Sequence, residues 1–381
     1  MQQAIKKRIP IMLVNLMLLL GFAACLLIAS SIMSSLRSQQ AATTWAGQSG
    51  ERFAQLSAFL PKETSFDESS IRSFRQSVDK AMIDASIDSS GGRVLHSDAW
   101  SAQGDVSIVS ERGAASARAF GVGGNFFLFH PLILRDGSYL SPNDLMKDRI
   151  VLDEEMAWRL FGSVYLQGLE VTIGNKPFLI AGVIARENDI ASRKAYTDGA
   201  GLFMSYEALQ DLTGGSSSIV CYEIVMPDPI TGFALKTMTD SFPDTQAVIV
   251  ENSIRFSLSG ILDVYSSFGT RSMKTDGIIF PYWENAARYA EDWISFLWAL
   301  SLVLVIFPCV SAIAYFVKFI RFSVRQGLSM AGKKIEQRDE HLAEKYMQMQ
   351  MDMEEVIIPD IDEIIREILD EQEKPDGEHN V

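Results

Sequence analysis

The sequence predicts an α+β extracytoplasmic domain held between two transmembrane α-helices and followed by a helical cytoplasmic tail, and three observations carry that prediction. Residues 9–33 and 293–317 each run 25 positions without a charge. As helices they would extend about 37 Å against a hydrocarbon core of about 30 Å, enough to cross with some tilt. Basic residues mark the same side of both: Lys6, Lys7 and Arg8 precede the first, and Lys318, Arg321, Arg325, Lys333 and Lys334 follow the second. By the positive-inside rule both termini are cytoplasmic and residues 34–292 lie outside the cell membrane. A cleaved signal peptide ending at Ala29-Ser30-Ser31 competes for the first span, but the apolar run exceeds the usual h-region.

In chain order, residues 1–8 form a short cytoplasmic start, 9–33 the first span, 34–292 the exterior domain, 293–317 the second span and 318–381 the tail. Between Arg37 and Leu60 the residues Trp45, Phe53, Leu56 and Leu60 fall at roughly helical spacing, which predicts a helix rising from the membrane and broken by Pro61. Ser65 to Ser69 offers caps for a second helix with Ile71, Phe74, Val78, Met82 and Ala85 on one stripe. After Gly91-Gly92, alternation from Arg93 to Gly121 with turn signals at Gly104-Asp105 and Arg112-Gly113 predicts strands.

The clearest stretch is Asp148 to Glu187. Arg149 to Leu152 reads as a strand; Asp153 caps a helix with Glu154 and Glu155 in its first turn and Met156, Leu160 and Phe161 at helical spacing, closed by Gly162. Leu169, Val171 and Ile173 then alternate, Gly174-Asn175 turns the chain, and Phe178 to Ile184 returns as an apolar strand. This order, with Ala157, Leu160-Phe161-Gly162, Gly168 and Gly182-Val183, and with Gly123-Gly124-Asn125-Phe126-Phe127, Gly137 and Leu140 before it, resembles the MacB-like periplasmic core domain of FtsX-like and MacB-like ABC permeases. The resemblance is good over residues 118–190 and extends across 40–290. It implies two subdomains, a βαβ-like porter-type one from the ends of the segment and a mixed central one at about 118–215. It implies no catalytic residue.

Downstream, Leu202 to Met204 predicts a strand and Glu207 to Leu212 a helix closed by Gly214-Gly215; Ile219 to Met226, a helix over Thr231 to Phe242 capped by Thr231, and Gln246 to Val250 form a βαβ-like unit. Asn285 to Asp292 continues helically into the second span, with Trp283, Tyr289 and Trp293 suited to an interfacial aromatic belt and Pro308 placed to kink the helix.

Charge excludes some partners. The exterior segment carries 22 basic against 32 acidic residues, which argues against nucleic acid as a ligand. The tail is basic from Lys318 to Arg338 and acidic from Asp339 onward; Lys318, Arg321 and Arg325 therefore suit anionic lipid headgroups. The three cysteines offer no disulfide framework, since Cys25 and Cys309 fall inside the spans.

Motifs for chemistry are poor. Gly327 to Lys334 nearly matches a phosphate-binding loop, but Lys334 stands where magnesium needs a hydroxyl, and a juxtamembrane turn explains the glycines. Ser77 and Lys80 satisfy S-x-x-K without its companion motifs and read as a solvated helix face. Gly121 to Gly124 precedes no helix start of the dinucleotide-binding kind and reads as a turn or bulge. His96, His130, His341 and His379 are scattered without ligand spacing, and Cys221 has no histidine near it. No cofactor, metal or enzymatic activity is expected. Within the tail, Ile361, Ile364, Ile365, Ile368 and Leu369 form an amphipathic face for a partner's groove or for packing on the helix before Pro359.

The resulting expectation is a non-catalytic membrane subunit of an ABC-transporter-like complex that works with an ABC ATPase, a four-helix permease subunit or copies of itself. The alternative is a stand-alone membrane receptor or scaffold with an exterior binding domain and a cytoplasmic recruitment tail.

Overall fold

The computed structural model describes residues 2–87, 94–196, 201–357 and 365–366. The chain divides into two compact units, Met1–Val305 and Ile306–Val381.

The first unit opens with α1 (Gln2–Ser35), a long and largely apolar helix, followed by a 3₁₀ turn at Arg37–Gln39 and α2 (Ala41–Ala46). The helix expected over Arg37 to Leu60 ends there, because β1 (Phe53–Phe59) is a strand with all seven residues buried. It lies inside a sheet, between β10 and β9, so both faces are buried and no alternation of buried and exposed positions marks it in the sequence. Next comes α3 (Glu68–Asp84), whose N-cap Asp67 accepts from Ser70 N and whose stripe Ile71, Phe74, Val78 and Met82 is buried. A hairpin follows, β2 (Ser97–Ser110) and β3 (Gly113–Gly124), with Ser110 opposite Gly113. The predicted turn at Gly104-Asp105 is absent and the strand runs straight through it. Gly104 serves close packing instead, since a Cβ there would lie 3.0 Å from Ser217 Oγ and 3.1 Å from Leu209. The Gly121 to Gly124 cluster acts alike: Gly121 lies under Leu209, Gly123 under the Trp100 ring, and Gly124 leaves the strand at φ +63°.

After α4 (Phe126–Phe129) and β4 (Leu134–Gly137), the central stretch folds as read. It comprises β5 (Arg149–Asp153), α5 (Glu154–Phe161), β6 (Glu170–Ile173) and β7 (Lys176–Ile184). Asp153 accepts from Glu155 N, Gly162 takes the left-handed conformation, and Gly174 and Asn175 both have positive φ, as a two-residue hairpin turn requires. Then α6 (Ile190–Ala195), which had no counterpart in the sequence reading, leads to β8 (Gly201–Ser205), α7 (Tyr206–Leu212) and β9 (Ile219–Pro227). The predicted helix over Thr231 to Phe242 is α8 (Phe233–Ser241), and Gly232, not Thr231, is its cap residue. Thr231 is engaged elsewhere, its hydroxyl accepting from Arg52 at 2.6 Å. The exterior part ends with β10 (Val248–Glu251), α9 (Leu258–Val264) and the start of α10 (Tyr282–Ile357).

All ten strands among the described residues join one sheet, ordered β10-β1-β9-β2-β3-β8-β5-β7-β4, with β6 bridging β7 and β2. Pairing is antiparallel except for β3 with β8 and β5 with β7. Because Ile108 of β2 pairs with Ile173 of β6, the strands β2, β3, β8, β5, β7 and β6 return on themselves, while β9, β1 and β10 extend from the other half of β2 as an open sheet. One side of the sheet packs on α3, α5, α7 and α8 through Leu56, Phe74, Ile150, Met156, Leu209 and Met238. The other packs on α2, α4 and the start of α10 through Phe59, Phe120, Phe126, Phe203 and Trp283. A third cluster joins α1 to α10 through Cys25, Ala29, Ala290, Ile294 and Leu297.

The second unit consists, among the described residues, of the mostly exposed helical residues from Ile306 to Ile357 and the helical pair Ile365 and Arg366. The residues from Gly327 to Lys334 are helical, not a turn.

Candidate functional site: a buried polar joint at the root of the long helix

The first turns of α10 carry Glu284, Arg288 and Glu291 at i, i+4 and i+7, hence on one face, beside the small residues Ala286, Ala287 and Ala290. The small residues let the face sit flush against the domain, and all six are buried. Burying charge in this way is costly unless each group is paired. Arg255, just after the 3₁₀ turn Asn252–Ile254, supplies the pairing, donating through Nη2 to both Glu284 oxygens at 2.9 and 2.7 Å. Arg255 Nε lies 3.3 Å from Glu291, Arg271 Nη1 lies 2.7 Å from Glu291, and Arg288 Nε donates to Glu284 at 2.6 Å while stacking over Phe280. Burial alone would push the Arg255 guanidinium down, but Glu284 and Glu291 reverse the direction and hold it charged. Backbone is tied in as well: Asn285 Oδ1 accepts from Met273 N at 2.8 Å, Asp292 accepts from Gly269 N at 3.2 Å, and Tyr265 donates to the Ser295 carbonyl at 2.6 Å. Trp283, read from sequence as a membrane-belt residue, is instead 3% exposed and packs among Phe120, Phe126 and His130.

A second polar line crosses the same side of the sheet. Glu223 of β9 lies 2.5 Å from His130 Nε2 and 3.1 Å from the Ser57 hydroxyl. Ser57 is 3.0 Å from Asn252, whose Nδ2 donates to Gln39 at 2.8 Å. Gln55 of β1 donates to the Ser38 carbonyl at 2.7 Å and accepts from Ala41 N at 2.9 Å. The chain leaving α1 is therefore held by the strands that also hold α10, and His130, its ring 4.4 Å from that of Trp283, joins the two lines.

The central stretch reaches this root through its last residue. Glu187 accepts from the Tyr282 hydroxyl, and burial raises its carboxyl above the ordinary range, with His130 opposing that shift. The Tyr282 ring lies tilted against that of Tyr196, centroids 4.5 Å apart, and Tyr196 donates to Asp153 at 3.2 Å. Burial likewise raises Asp153, although the Glu155 amide and Arg186 oppose it.

No group of three or more potential metal ligands occurs among the described residues. Burial pushes the Cys221 thiol well up, so it is no nucleophile. Ser77 donates to the Ser73 carbonyl at 3.2 Å and Lys80 is exposed, as a solvated face would have it. Of the tail residues singled out, Ile365 is helical and 47% exposed, whereas Ile361, Ile364, Ile368 and Leu369 lie outside the described residues. Lys318, Arg321 and Arg325 are exposed on α10. The joint itself escaped sequence reading; its one local signal was the i, i+4, i+7 charge row beside alanines, and Arg255 and His130 had none.

The arrangement fastens two long apolar helices to one sheet. A model of the MacB-like periplasmic core domain matches residues 12–229. The chain belongs to that family. Among solved structures, it is similar to the periplasmic region of MacB from Actinobacillus actinomycetemcomitans at 17% identity, with 56% of this chain and 92% of that one covered and a TM-score of 0.39. It is also similar to the extracellular domain of the noncanonic ABC-type transporter YknZ from Gram-positive bacteria at 16% identity, covering 49% and 88% with a TM-score of 0.34. No curated protein matches the sequence significantly. As a MacB-like core domain protein with two long apolar helices, the chain is an ABC-transporter-type membrane component with an extracytoplasmic segment.

Proposed function

We propose that the chain is a non-catalytic membrane subunit of a MacB- or FtsX-type complex in which the exterior domain passes motion between the transmembrane helices and a substrate or envelope partner. The observation that carries this reading is the buried joint of Arg255, Arg271 and Arg288 with Glu284 and Glu291, which makes the start of α10 part of the domain core. A helix root fixed by buried ion pairs follows the domain as a rigid body. In this reading residues 9–33 and 293–317 are the two spans and both termini are cytoplasmic. The open sheet of β10, β1 and β9 with α3 and α8, and the returning strands with α5 and α7, correspond to the porter-type and central subdomains. The ATPase and any four-helix permease are separate partners or further copies of this chain; Lys318, Arg321 and Arg325 meet anionic headgroups, and Ile361, Ile364, Ile365, Ile368 and Leu369 dock a cytoplasmic partner.

The test is a mild-detergent pull-down from native membranes with a tag after Val381, beside the same chain cut before Pro359, read by mass spectrometry. Recovery of an ABC ATPase or permease with the full chain, lost on truncation, is the expected result. Recovery of an envelope or signalling protein alone would replace it with the receptor or scaffold reading.

A further inference from the structure

Beside the start of α10 the first unit holds a cleft of about 930 Å³, within the range of small-molecule sites. Its charge runs against that of its surroundings. Residues 34–292 carry 22 basic against 32 acidic residues, yet among the described residues the cleft takes Lys62, Arg118 and Lys274 against one acid, Asp105. Asp105 is 3.4 Å from Arg118, and among the described residues Lys62 and Lys274 make no ion pair. A basic recess in an acidic surface concentrates anions at its mouth. The remaining lining divides in two: the Ser216 to Ser218 segment supplies hydroxyls, and Phe120, Phe280 and Tyr282 supply aromatic surface.

We propose that this cleft binds an anionic amphiphile, its carboxylate or phosphate head held by Lys62 and Lys274 and its apolar body laid against Phe120 and Tyr282. The recess offers the two chemistries such a molecule needs, and a purely polar or purely apolar ligand would use half of it. Position adds a consequence. Asn285, another lining residue, accepts from Met273 N and donates to the Phe280 carbonyl at 2.9 Å, so it ties the segment bearing Lys274 to α10. A ligand drawing on Lys274 therefore acts on the same hydrogen bonds that hold the helix root. The assignment depends on the cleft alone and stands whether or not an ATPase is a partner.

Saturation-transfer NMR on the full chain in zwitterionic nanodiscs tests it, with empty nanodiscs as the baseline for partition into lipid. The probes are 4-phenylbutyrate, 4-phenylbutyl phosphate, 4-phenylbutylamine and inorganic phosphate. Transfer to one or both amphiphilic anions, and none to the amine, is expected; the favoured head separates a fatty-acid source from a phospholipid one. Both lysines are exposed, so Lys62→Glu with Lys274→Glu leaves the fold intact, and it should weaken anion binding about tenfold or more. Ser218→Trp should abolish binding by filling the recess. Equal transfer to the amine, anion binding that survives charge reversal, or no anion binding at all would overturn the proposal, and binding of inorganic phosphate alone would remove its amphiphile half.

Discussion

At the scale of single residues, the joint is a count of charges in a dry place. Arg255, Arg271 and Arg288 face Glu284 and Glu291, three cations to two anions. Removing Arg255 leaves each acid with another arginine: Glu284 keeps Arg288 and Glu291 keeps Arg271. Removing Glu284 strips Arg288 of its carboxylate and leaves Arg255 only Glu291 at 3.3 Å. Breaking a buried pair costs about 3–5 kcal/mol when an unmatched charge stays behind. Glu284→Gln should therefore destabilise by about that amount and Arg255→Met by clearly less. Urea unfolding of the two variants checks the order, and equal losses would show that packing rather than charge balance holds the cluster. Glu187 makes a prediction about pH. Burial raises its carboxyl in the folded state, so the folded form binds a proton more readily than the unfolded one. The stability this group contributes is then fully present below the unfolded carboxyl range, near pH 4.3, and is lost as pH rises through the higher folded value. Glu187→Gln removes that loss while keeping an acceptor for Tyr282. Its melting temperature should exceed the parent's at pH 7.5 and the gain should fade toward pH 4, whereas a gain constant with pH would contradict the argument.

At the scale of elements, local chemistry and tertiary demand separate what the sequence tells from what it hides. The α5 hairpin unit was legible because Asp153, Gly162, Gly174 and Asn175 act on their own neighbours, as caps and turns must. Helix α3 belongs with it. Hydrogen bonds from Ser69, then from the Ser70 amide, hold the Asp67 carboxyl at about 2, below its ordinary value of 3.8. A depressed acid stabilises above its unfolded range and loses that contribution as pH falls through its folded value. Asp67→Ala should cost about 0.5–2 kcal/mol at neutral pH, and the gap from the parent should narrow as pH is lowered from 4 toward 2. Circular dichroism melts along that series decide it, and a gap unchanged by acid would mean the side chain acts other than as a charged cap. Strand β1 was misread because its residues are buried on both faces by β9, β10 and the layers above and below, an environment no seven-residue window contains. Gly104 was misread for the same reason, its meaning set by Leu209 and Ser217 far along the chain. The polar joint was hidden more deeply. Glu223 and His130 lie 93 positions apart and look like ordinary surface residues until the sheet brings them together.

At the scale of the whole molecule, the exterior domain is incomplete without the first turns of the helix that leaves it. Trp283 fills the side of the sheet that also carries Phe59, Phe120 and Phe126, while Ala286 and Ala290 pack in a separate cluster with Ala191, Ala195 and Ile261. Losing a buried tryptophan costs about 3–5 kcal/mol, and the truncation also takes away Glu284 and Glu291, the acids that pair with Arg255. Since a domain has about 5–15 kcal/mol in hand, the tryptophan alone takes a large share of it. Residues 37–292 produced as a soluble fragment should thus fold, with a cooperative melt and dispersed amide signals, whereas residues 37–276 should bind a hydrophobic dye and aggregate. Equal behaviour of the two fragments would show that the domain closes without the helix, and α10 would then be an attachment free to swing. The opposite result means that any displacement of the helix root strains the sheet itself, because Glu187, His130 and Arg255 reach it from three separate parts of the chain. In the role proposed above, a domain built in this way passes motion only as a whole, and loosening any of those three contacts uncouples the helix root from the sheet without touching a ligand.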